Sequence, residues 1–96
     1  MTRQRVVSSL RELAAALGSA AAGSEWYLFG SVNRDELCAA DIDLMILCTN
    51  DYQADALRLA INLDNFMLPL HLALLTFDEA AQIEAVRAQH STAIYP

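Results

Sequence analysis

Trp26-Tyr27-Leu28-Phe29-Gly30-Ser31 and, beyond residues 32–40, Asp41-Ile42-Asp43-Leu44-Met45-Ile46-Leu47 carry the densest structural information in the chain. The first run is aromatic and apolar until Gly30 stops it, the pattern of a β-strand entering a tight turn. The second is apolar apart from Asp43, the pattern of a largely buried strand. Side chains two residues apart on a strand point the same way, with Cα atoms about 6.6 Å apart. Asp41 and Asp43 are therefore expected to present two carboxylates side by side while Ile42 and Leu44 face a core. A charge inside such a strand is costly unless it is paired or liganded. Two adjacent carboxylates suit a hard divalent cation such as Mg²⁺, or a pair of them. Gly30-Ser31 adds a bend where backbone approaches a phosphate closely, with a following helix N-terminus that offers N–H donors.

Outward from this centre, Val6, Leu10, Leu13 and Leu17 recur at helical spacing, which predicts a helix ending near Gly18. Residues 32–40 read as a short helix and loop. Tyr52, Ala56, Leu59 and Leu63 predict the inner face of another helix, and residues 68–75 a third strand entered through Pro69. Thr76-Phe77-Asp78-Glu79 has the form of a capping box, followed by a helix with Phe77, Ala80, Ile83 and Val86 as its apolar stripe. The predicted order is α-β-α-β-α-β-α, an α/β or α+β arrangement of helices against a small sheet.

The 96 residues suffice for one domain, taken as 1–96, and a hydrophobic fraction of 55% supplies a core with apolar surface left for a partner or a homodimer. A net charge of −6 argues against direct nucleic-acid binding. All six basic residues are Arg, so a polyanion would be held by Arg, backbone N–H groups or metal. Cys38 and Cys48 fit neither a CxxC pair nor a zinc spacing and read as buried thiols of a reducing compartment. The Arg-containing N-terminus imitates a secretory leader, but Arg11 and Glu12 interrupt it with helical periodicity. No apolar run is long enough for a membrane span, and a cytoplasmic location is expected.

Phe29-Gly30-Ser31-Val32-Asn33-Arg34 with Asp41-Ile42-Asp43-Leu44 resembles the signature of the minimal nucleotidyltransferases of the DNA polymerase β superfamily. The resemblance covers nearly the whole chain and implies that superfamily's fold, a small mixed sheet flanked by helices. It implies that Gly30 and Ser31 contact nucleotide phosphates, that Asp41 and Asp43 ligate Mg²⁺ or Mn²⁺, and that Arg34 touches the triphosphate of ATP or another NTP. The implied activity is transfer of a nucleoside monophosphate, AMP from ATP being the first case, to an acceptor hydroxyl. Short members of the family often act beside a helical HEPN-type partner, some as antitoxins that attach AMP to a partner tyrosine.

Two positions depart from the pattern. Asp35 stands where relatives carry Gly, and Leu70-His71-Leu72 stands where they carry a third Asp. Imidazole is a poorer Mg²⁺ ligand than carboxylate. Three outcomes are open: altered metal use with His71 as a third ligand, replacement by Asp78 or Glu79, or loss of catalysis that leaves a nucleotidyltransferase-like binding and neutralising module. Each residue also has a plainer role. Ser31 reads as a helix N-cap, His71 as a hydrogen-bonded sheet residue, Arg34 as a surface charge, and Asp78 and Glu79 as acids favouring a helix dipole. His90 and Trp26 carry structural readings only. Modification of a small molecule is a third function, although relatives with that role usually carry an extra helical domain.

Overall fold

Thr2 caps the first helix, its Oγ1 accepting from the Arg5 N–H at 3.3 Å, and α1 runs Arg3–Leu17 until Gly18 takes φ 57°. The computed structural model describes residues 2–36, 39–62 and 68–96. A 3-10 turn, Gly18–Ala21, leads to β1 (Glu25–Phe29), α2 (Gly30–Asn33), β2 (Ile42–Cys48), α3 (Asp51–Ala60), β3 (Leu70–Thr76), α4 (Phe77–Gln82), α5 (Ala85–Ala88) and β4 (Thr92–Tyr95). The sheet order is β3-β2-β1-β4, with β2 and β3 parallel and the other two pairings antiparallel. It is a mixed four-stranded sheet flanked by helices. No helix among the described residues is long and apolar enough to cross a membrane.

Alternation along the strands divides the core between the two sheet faces. Ile42, Leu44, Ile46 and Cys48 of β2, with Trp26 and Leu28 of β1, pack with Val6, Leu10 and Ala14 of α1 and Leu57 of α3. Met45 and Leu47 face the other way, onto Ala80 and Ala85 of α4 and α5. Trp26 is fully buried; its Nε1–H donates to Ser24 Oγ at 3.0 Å and its ring meets Tyr95 edge-on at 5.8 Å.

The predicted order α-β-α-β-α-β-α is corrected at its end. The last helix is broken at Glu84, which has φ 49° and turns the chain into α5, and Ile83 is exposed rather than part of an apolar stripe. Beyond it β4 pairs with β1, completing a sheet of four strands instead of three. The inner face of α3 is corrected as well. Tyr52 and Leu59 are exposed, while Gln53, Ala54 and Leu57 are buried; Leu63 lies outside the described residues. Gln53 decides the orientation. Its Nε2 donates to Ala20 O at 3.2 Å and Ala22 O at 2.8 Å, and its Oε1 accepts from Thr49 N at 2.8 Å. A buried amide satisfied on both sides is compatible with the inner face of a helix, beside the apolar Ala54 and Leu57. The third strand begins at Leu70, after Pro69, and Thr76 and Glu79 make the full capping box.

Candidate functional site

Asp43 is the first acid inside β2, and the register sets Phe29 of β1 on one side of it and His71 of β3 on the other. All three therefore share the face that α4 and α5 cover only farther along, over Met45 and Leu47. Asp41 precedes the strand by one residue. The imidazole of His71 reaches both acids, with Nε2 3.7 Å from Asp41 Oδ2 and Nδ1 3.5 Å from Asp43 Oδ1. The two carboxylates thus lie on one side of the sheet. Asp43 is the more enclosed of the two, with 24% of its side chain exposed against 37% for Asp41.

Gly30 explains how the acid and the bend come together. It takes φ 75°, and a Cβ built on it would collide with the Asp43 carboxyl group. Only a residue without a side chain allows that approach. The short helix α2 starts at Gly30 with Phe29 as its N-cap and no side-chain cap. Ser31 is thereby a half-buried first-turn residue, not the N-cap of the plainer reading. Its carbonyl accepts from the Glu36 N–H at 3.0 Å, which closes the loop over α2. Asp35, at the position where the resembled signature has Gly, has φ 57° and lies in the left-handed region. Asp tolerates that conformation better than most side chains.

Charges around the bend act on Asp43 in opposite directions. Burial raises its pKa above the ordinary carboxylate value, and Asp41 raises it further, while His71 and Arg34 pull it down. Arg34 is an exposed guanidinium that also pairs with Glu36. Its charge is felt at Asp43 even while Glu36 holds it.

Compared with protein families, curated proteins and solved structures, the chain matches none.

Two neighbouring carboxylates fit a hard divalent cation; the imidazole between them does not suit Mg²⁺ as a further ligand. Among the described residues, no three His, Cys, Asp or Glu side chains are already arranged as a ligand set. Replacement of the third acid by Asp78 or Glu79 is corrected. Both follow the far end of β3, roughly 16 Å along the strand from His71 at 3.3 Å per residue. Glu79 is moreover committed, its carboxylate accepting from the Thr76 N–H at 2.9 Å. His90 is a turn residue with φ 50° whose carbonyl accepts from Asn33 Nδ2 at 3.3 Å. Cys48 is a buried free thiol whose pKa burial pushes up to about 11, and Cys38 lies outside the described residues. A cavity of about 490 Å³ lies away from the acids, between Leu47 and residues Phe77, Ala80 and Ala85. Its apolar lining suits packing rather than phosphate chemistry.

Sequence reasoning missed the alignment of Phe29, Asp43 and His71 across three strands. A single sequence marks which residues alternate inward, but strand pairing is non-local, and nothing in these residues announces the register.

Proposed function

We propose that the chain is a metal-dependent nucleotidyltransferase of the DNA polymerase β type, transferring a nucleoside monophosphate from an NTP, with ATP the first candidate, to an acceptor hydroxyl. The observation that carries this reading is the seating of the Asp43 carboxylate against Gly30, which makes the acid pair and the glycine-serine bend one site. In that role the backbone N–H groups that open α2 and the Ser31 hydroxyl hold phosphate oxygens, and Arg34 adds charge to the triphosphate. Asp41 and Asp43 would hold the cation. The chemistry a divalent ion supplies at such a pair is neutralisation of phosphate charge and polarisation of the transferred group. No covalent nucleophile is required, because phosphoryl-type transfer depends on positioning and electrostatics. The acceptor class proposed is a protein hydroxyl on a helical HEPN-type partner, in an antitoxin role.

His71 favours a second reading. An imidazole already lying between the two acids competes with a cation for them. A catalytically impaired module that binds nucleotide or neutralises a partner follows from that contact. Calorimetry with ATP and either Mg²⁺ or Mn²⁺ tests the site. Binding is expected to vanish in Asp43→Asn and to persist in His71→Ala; ATP binding indifferent to both Asp41→Asn and Asp43→Asn sinks the proposal. Label transfer from ATP to a partner protein then separates enzyme from binding module.

A further inference from the structure

The two edges of the sheet are built differently. The β4 edge is short, and its register against β1 slips between Trp26 and Tyr27. Irregular, short edges resist pairing with other chains. The β3 edge is a regular seven-residue strand, Leu70-His71-Leu72-Ala73-Leu74-Leu75-Thr76, in unbroken register with β2. It carries no acid, Arg, Pro or bulge. Apolar residues populate both of its faces, the composition of an interior strand, yet among the described residues no strand lies beyond it.

Backbone parity identifies which groups are left over. The Ile42 N–H donates to Pro69 O at 2.9 Å, so in this parallel pair Pro69, His71, Ala73 and Leu75 turn their main-chain groups toward β2. Leu70, Leu72, Leu74 and Thr76 turn theirs outward. Thr76 is withdrawn from that row, because its N–H donates to Glu79 Oε1 at 2.9 Å in the capping box. What remains is a row of three residues that is symmetric about Leu72.

We infer that β3 pairs antiparallel with β3 of a second copy across a twofold axis at Leu72, joining the two sheets into one of eight strands. A twofold through Leu72 sets Leu72 against Leu72 and Leu70 against Leu74 in both directions, forming about six main-chain hydrogen bonds. The row of groups, unpaired among the described residues, is its own complement and ends where the capping box ends it. No like charges meet within the strands, since His71 faces Ala73 of the second copy. That pairing brings both His71 side chains, and with them both candidate sites, to one face beside the axis. The inference stands independently of the nucleotide reading.

Sedimentation of the full chain tests the pairing. The native chain is expected to run as a dimer that tightens with added salt, because each copy carries a net charge of −6. Leu72→Pro removes an outward donor but no bond to β2, and is expected to give a monomer with unchanged far-ultraviolet dichroism. Leu72→Cys provides a variant that keeps the strand. Facing Cα atoms in such a pair stand about 5.5 Å apart, within disulfide reach, so mild oxidation should join two copies at that position. His71→Lys, at an exposed position, should weaken the dimer by placing two like charges near the axis. A native chain monomeric at its highest attainable concentration overturns the inference. So does a dimer that Leu72→Pro leaves intact, or that Leu72→Cys fails to cross-link beyond the native chain. A monomer that instead takes up an extended peptide at β3 would show the edge to serve a different protein, and overturns it equally.

Discussion

A methyl group at Gly30 would land on the Asp43 carboxyl, whereas one at Gly18 meets nothing within 4 Å, although both glycines have positive φ. Gly18→Ala therefore isolates backbone strain, of about 1–3 kcal/mol. Gly30→Ala adds steric displacement of the acid, roughly another 1–3 kcal/mol. Urea denaturation of the two variants measures the difference, and equal midpoints would refute the close approach. Asp43 gives a second prediction, through pH. Its folded-state pKa is raised, chiefly by burial and then by Asp41, so the folded chain holds this proton more tightly than the unfolded chain does. Its stabilising contribution is complete below the ordinary carboxylate range and is lost as pH climbs through the raised value. Asp43→Asn should accordingly raise the Tm at neutral pH and leave it unchanged in strong acid. A lower Tm at neutral pH would show that the charged form is favoured by the fold. At this scale the sequence was informative. The spacing of Asp41 and Asp43 anticipates their closeness, although Asp41 lies one residue ahead of β2 rather than within it; the contact of each with His71 is not legible, because it depends on which strand lies alongside.

Elements were legible where apolar residues recur at a helical period or run almost unbroken between turn signals. Helix α1, strands β1 and β2 and the capping box at Thr76 follow directly from periodicity and from turn chemistry. Helix α3 was legible in place but not in rotation, because a hydrophobic stripe is a poor guide when the buried face is led by an amide. Gln53→Ala tests this account. It would strand Ala20 O, Ala22 O and Thr49 N together, at a cost of about 2–4 kcal/mol from lost and unsatisfied hydrogen bonds. Chemical denaturation measures it, and a cost near zero would mean that the 3-10 turn is held by packing alone. The strand Thr92–Tyr95 escaped notice because four residues give too little alternation to stand out. Its place beside β1 depends on long-range closure that also engages Arg11, whose Nε–H donates to Ile94 O at 2.7 Å.

For the molecule as a whole, Cys48 is a built-in reporter of opening. It has no exposed surface, and burial pushes its thiol up to about 11, so it should resist alkylation at pH 8 until the core separates. In a Cys38→Ser background the labelling rate should track the unfolding equilibrium across urea concentrations; labelling as fast as free cysteine in native buffer would mean the core is open. The sheet face opposite that thiol behaves otherwise. Helices α4 and α5 seal Met45 and Leu47 but stop short of Asp43, and His71 stands 64% exposed at the rim. Under the proposed activity a triphosphate held at that rim would be open to water on the side these helices leave uncovered, so hydrolysis would compete with transfer to any other acceptor. On the proposed reading, transfer would be favoured only while another surface roofs that rim, which would tie its selectivity to the company the chain keeps.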